Sequence, residues 1–138
     1  MHFNKTETTA SFAPTISDKY FRFLDEREVV SEEYRASLKS GLFGILTENV
    51  IMIDNKPFCV NCILGESEDS IFDIIGTNQL YAINANDGTV FSVLYGDDYL
   101  FFKPNDTKVY YKSISTDEIV TLADSYNAFL SMVEDQDI

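Results

Sequence analysis

The chain has 138 residues, 45% of them hydrophobic and 24% charged, which is one globular domain with enough apolar side chain for a packed core; wholesale disorder is excluded. Against 23 Asp and Glu stand 10 Lys and Arg, a formal charge of -13, and this argues against a nucleic-acid partner because phosphate binding needs a basic footprint. No apolar run approaches the roughly 20 residues that a membrane helix needs.

The charge is unevenly placed. Residues 1–56 carry a net -2, residues 57–102 a net -7 and residues 103–138 a net -4, and between Pro57 and Phe102 there is no Lys or Arg at all. A surface built from that stretch has no internal counter-charge to soften its field, and it serves either solubility or a partner of opposite charge.

Taken in chain order, residues 1–15 read as a flexible polar leader, rich in Thr, without the basic and apolar regions of a secretory signal. Two cysteines, Cys59 and Cys62, are too few to staple a secreted domain, so the expectation is a cytoplasmic protein with free thiols. Residues 16–138 read as a single domain. Ser17 and Asp18 open a first helix that ends near Glu28, with Ile16 placed to staple onto Phe21. A second helix opens at Ser31, carries Tyr34 and Leu38 on one face, and closes at Gly41.

From Ile45 the pattern changes to strands. Val50 to Ile53 and Phe58 to Leu64 flank the turn Asp54-Asn55-Lys56-Pro57. After the acidic loop from Gly65 to Ser70, Ile71 to Ile75 and Leu80 to Asn84 read as further strands. Asn86-Asp87-Gly88 then predicts a hairpin into Thr89 to Tyr95, since Gly tolerates the positive φ of tight turns. Tyr99 to Phe102 and Lys108 to Ile114 pair across Pro104-Asn105-Asp106. Leu122, Ala123, Tyr126, Phe129, Leu130 and Val133 fall on one stripe of a closing helix. The expected fold class is therefore α+β: an antiparallel β-meander with N- and C-terminal helices packed on one face.

Candidate chemistry is sparse. Cys59 and Cys62 have CxxC spacing, but on a regular strand residues three apart face opposite sides and cannot share a metal or a disulfide, so both read as buried structural thiols. The lone imidazole, His2, leaves no Ser-His or Cys-His arrangement. Paired carboxylates at Asp97-Asp98 or Glu68-Asp69 remain as a third reading, an uncharacterised acid–base enzyme. Gly41-Leu42-Phe43-Gly44 lacks the spacing and the Lys of a phosphate loop. Of the 8 Tyr and 11 Phe, Tyr81, Phe91, Tyr95, Tyr99, Phe101, Phe102, Tyr110 and Tyr111 crowd the meander, where half must face away from the helices, either as cross-strand packing or as an interface.

Three segments carry a resemblance: Ile74-Ile75-Gly76-Thr77-Asn78-Gln79-Leu80-Tyr81-Ala82-Ile83, then Asp87-Gly88-Thr89-Val90-Phe91, then Leu122-Ala123-Asp124-Ser125-Tyr126-Asn127-Ala128-Phe129-Leu130. In this order they resemble the SUKH superfamily, which includes bacterial immunity proteins and fungal cell-wall synthesis regulators. The similarity spans about residues 71–133; the first half lacks the family's Leu-Pro helix opening and Gly-pair loop. The resemblance implies a SUKH-like domain without catalysis, cofactor or metal that binds a protein partner. That partner is expected to be a basic toxin domain, such as a nuclease or deaminase, whose active site the acidic protein occludes. An intracellular regulatory or scaffold module of the same superfamily is the alternative. For the partner-binding surface the expected residues are Glu66, Glu68 and Asp69 in one loop, Asp97 and Asp98 in another, and Tyr99 as an anchor between charge and sheet.

Overall fold

A computed structural model describes residues 3–4, 12–46 and 49–135. In chain order the elements are β1 (Phe3–Asn4), α1 (Asp18–Glu26), α2 (Glu32–Lys39), β2 (Gly44–Leu46), β3 (Asn49–Ile53), β4 (Lys56–Ile63) and α3 (Ile74–Leu80). They are followed by β5 (Thr89–Leu94), β6 (Tyr99–Phe102), β7 (Val109–Lys112), β8 (Ile119–Ala123), α4 (Tyr126–Met132) and β9 (Glu134–Asp135). The main sheet runs β1-β2-β4-β5-β6-β7-β8, antiparallel throughout, with β3 and β9 extending from β4. The fold class is α+β.

Local chemistry explains most of the elements. Ser31 accepts from the Tyr34 amide at 3.2 Å and caps α2, whose first turn holds Glu32 and Glu33 at the positive end of the dipole. Asp54 and Asn55 both have positive φ, 51° and 64°, the primed turn that matches strand twist and that short polar side chains tolerate, and it joins β3 to β4. Ser17 occupies the cap position of α1 but accepts no capping bond; instead its own amide donates to Glu66 Oε1 at 2.8 Å.

The core is aromatic. Tyr34 from α2 and Tyr126 and Phe129 from α4 meet Phe91 of β5 and Phe102 of β6, with Phe91 and Phe102 stacked at 4.6 Å and Tyr34 within 5.4 Å of Phe91, Phe102 and Tyr126. All five are essentially fully buried. The Tyr34 hydroxyl donates to the Leu64 carbonyl at 3.1 Å, which satisfies the one polar atom that this ring takes inside.

Three expectations are corrected. Neither strand expected at Ile71 to Ile75 and Leu80 to Asn84 forms: α3 takes Ile74 to Leu80 and the residues after it are turn and loop, so Asn86-Asp87-Gly88 closes no hairpin and belongs to the loop from α3 into β5. Gly88 serves close approach there: its φ is 128°, and a Cβ would lie 2.4 Å from the Phe102 carbonyl oxygen. The helix is capped locally and anchored from outside its sequence. Asp73 accepts from the Gly76 amide at 2.9 Å, and the Asn78 carboxamide accepts from Val90 N at 2.8 Å while donating to the Val90 carbonyl at 3.0 Å and the Ile74 carbonyl at 2.7 Å. The closing helix starts at Tyr126, behind a Ser125 cap on the Ala128 amide, and Leu122 and Ala123 lie in β8 instead. The polar leader contributes to the fold, since β1 pairs with β2 and the buried Phe12 bridges to Ser67; residues 1–2 and 5–11 lie outside the described residues.

Candidate binding face

Along β6 the side chains alternate, so Leu100 and Phe102 enter the core while Tyr99 and Phe101 face the other side of the sheet. Register carries this second face across the neighbours: Tyr99 lies opposite Val93 and Lys112, Phe101 opposite Tyr110, and Lys112 opposite Ile119. The rings form a continuous row, Tyr81 to Tyr99 at 5.5 Å, Tyr99 to Phe101 at 5.8 Å and Phe101 to Tyr110 at 5.6 Å, with the Lys103 ammonium 4.2 Å from the centre of the Tyr110 ring.

Two clefts open on this face and share Tyr81. The larger, about 520 Å³, has Tyr99 and Phe101 in its lining, Lys103, Lys112, Asp87 and Asp117 as its charges, and Ile114 and Ile119 at its edge. Lys112 and Asp117 are paired at 3.2 Å, and that bond raises the Lys112 pKa. The smaller, about 300 Å³, lies between Asn61, Ile71, Phe72, Leu80, Tyr81 and Val93, with Asp97 alongside. Burial, followed by the field of Asp97, raises the Tyr81 phenol.

The expected partner-binding residues fall at several places. Glu66 and Glu68 line a different cleft, beside Phe12, Pro14 and Tyr20, where Glu66 already holds the Ser17 amide. Asp69 accepts from the Ile71 amide at 3.2 Å and so shapes its own loop. Asp98 is committed inside the fold, accepting from the Tyr111 hydroxyl at 2.6 Å and the Ile114 amide at 2.9 Å. Only Asp97 and Tyr99 meet near Tyr81, and Tyr99 is 5% exposed, a cleft wall and not a projecting anchor. Asp97 and Asp98 therefore do not converge on one cleft as an acid–base pair would.

The two thiols part as alternation requires: Cys62 is buried, its pKa pushed up to about 12 by burial, while Cys59 is exposed, which corrects the expectation that both are buried. Among the described residues no group of three or more His, Cys, Asp or Glu is placed to hold a metal ion, and no helix is long and apolar enough to cross a membrane. Lys103, Lys112, Ile114 and Ile119 are not among the residues that the sequence singles out, and Tyr81 is singled out only as one of the meander's aromatics. Only the excess of aromatics in the meander pointed to this face. No family model matches the chain, and neither a curated protein nor a solved structure matches it.

Proposed function

We propose that the chain is a non-catalytic protein-binding domain that presents to a partner the sheet face of Tyr99 and Phe101, together with the end of α3 that borders it. One observation carries this reading. Of the eight large apolar side chains exposed among the described residues, Ile71, Leu80, Ile114 and Ile119 edge the two clefts that meet at Tyr81. Apolar groups gathered at the rim of concave, aromatic-lined surface mark a docking site, whereas scattered ones need no explanation.

Within that class, a SUKH-like immunity protein occluding a basic toxin is the reading that best joins charge and sequence pattern. The net -7 of residues 57–102 supplies long-range attraction toward a surface meant for phosphates. Of the three segments behind the resemblance, Asp87 to Phe91 leads into β5 and Ser125 to Leu130 forms the cap and body of α4, while Ile75-Gly76 lies in helix α3 where the family pattern has a strand start.

The test is to read the coding regions that neighbour this one and to co-express the chain with any toxin domain found there. The reading expects growth rescue and a stable complex that withstands gel filtration. Growth arrest unrelieved by the chain, together with separate elution of the two proteins, overturns it.

A further inference from the structure

The smaller cleft on the open face has a composition that the larger one lacks. All its lining residues lie between positions 61 and 97, inside the stretch without any Lys or Arg, so no cation of that segment competes for it. Its walls are apolar, Ile71, Phe72, Leu80 and Val93, and Tyr81 adds an aromatic ring. Two groups bring acceptor oxygens, the Asn61 carboxamide and the Asp97 carboxylate, and among the described residues Asp97 takes part in no hydrogen bond or ion pair through its side chain. Thr77, the remaining polar member, is already satisfied, its hydroxyl donating to the Ser70 and Ile71 carbonyls at 3.1 and 3.0 Å.

An apolar slot of about 300 Å³ with two aromatic rings, Phe72 and Tyr81, and a carboxylate unpaired among the described residues matches a side chain that is hydrocarbon along its length and cationic at its end. A planar guanidinium fits this set better than an ammonium. It can lie against Tyr81 and still send a fork of N–H donors to Asp97 and Asn61, whereas an ammonium is more strongly hydrated and loses more on leaving water. We propose that this cleft is the seat of an arginine side chain of the protein partner, with its stem along Leu80 and Val93 and its guanidinium between Tyr81 and Asp97. The proposal deepens the protein-binding reading and rests on it for the arginine's source, while the chemistry of the seat can be tried without any partner.

The probe is N-acetyl-arginine amide, titrated into the isotopically labelled full chain and followed by amide shifts. N-acetyl-lysine amide, N-acetyl-citrulline amide and N-acetyl-leucine amide serve as comparisons. The expected result is saturable shifts confined to the neighbourhood of Asn61, Leu80, Tyr81, Val93 and Asp97, with the arginine derivative bound at least roughly fivefold tighter than the other three, the factor that about 1 kcal/mol of ion pairing represents. Asp97→Asn should abolish this preference. Asp97 has a φ of 72°, a region that Asn adopts readily, so the variant is expected to fold, and its spectrum away from the cleft verifies that. Leu80→Ser, at a site 62% exposed, should weaken all the probes together. Equal binding of the citrulline or lysine derivative, shifts spread over the whole acidic surface, or the absence of saturable shifts overturns the arginine seat. Failure of growth rescue with the seat intact would instead remove the toxin and leave the cleft, so the two readings fail separately.

Discussion

The Tyr20 hydroxyl donates a buried hydrogen bond to the Asp73 carboxylate across 53 residues of sequence. The same carboxylate accepts from the Ser67 amide at 3.0 Å and the Gly76 amide at 2.9 Å, so one side chain ties α1, the acidic loop and the start of α3. Tyr20→Phe removes one of three donors and should cost about 1.5 kcal/mol, while Asp73→Ala strands two amides and a hydroxyl together and should cost about 3 kcal/mol or more. Urea denaturation of both variants measures this. Equal losses would mean that Asp73 has no capping role beyond its bond to Tyr20.

The tyrosines make the fold sensitive to alkali. The bond to Asp106, with burial, pushes Tyr110 up to about 12, and burial, with the bond to Asp98, does the same for Tyr111. Burial raises Tyr34 and Tyr126 as well. Unfolded phenols ionise near the ordinary value of 10.0, so above it the unfolded chain sheds protons that the folded chain keeps, and the equilibrium moves toward unfolding. Stability should be fully present below pH 10 and fall between pH 10 and 12. Denaturation midpoints read against phenolate absorbance check this, and a flat profile across that window would contradict the burial and hydrogen bonding of these rings.

The thiols should behave as two classes. Cys59 is expected to react with a thiol reagent in the native protein, and Cys62 only after denaturant is added, because its site is buried and its thiolate disfavoured. Zinc in stoichiometric amount in the purified protein, lost on replacing both by Ser, would show that the strand geometry of this motif is wrong.

The acidic residues should divide by what they touch. Asp98→Asn loses charge-assisted bonds to Tyr111 and Ile114 and should cost about 1–2 kcal/mol of stability. Glu68→Gln, at an exposed position, should stay within about 0.5 kcal/mol. Against a basic partner, neutralising Glu68, Asp69 and Asp97 together should slow association and flatten its salt dependence, because charges at an interface act mainly on encounter. Unchanged association rates over a salt series would assign these carboxylates to solubility alone.

Features legible in the sequence were those that local chemistry decides. Ser31 with Glu32 and Glu33 announces α2, Asp54-Asn55 the β3–β4 turn, and Pro104-Asn105-Asp106 the turn between β6 and β7, since in each case a short polar or ring-locked residue sets the backbone of its own neighbours. The separation of Cys59 from Cys62 was legible too, because alternation is a property of any strand. Tertiary contacts decided the rest. The run from Ile71 to Ile75 is mostly apolar and β-prone and reads as a strand, yet α3 forms there: its cap, Asp73 on the Gly76 amide, is a local signal that the strand pattern masks, and what holds the helix in place is Asn78 bonding to Val90 of β5, a partner that no window around residue 74 contains. Leu122 and Ala123 fit the stripe of α4 by period but belong to β8, where Ala123 pairs with Val109 of β7 across a register shift that Leu122 occupies. The binding face follows the same rule: nothing local to Tyr81 indicates that its ring will lie on Tyr99, and only sheet register brings Tyr99, Phe101, Tyr110 and Lys112 to one side. A residue's backbone choice is made among near neighbours, while the company its side chain keeps is set by which strands pair, and that is decided only when the whole sheet assembles.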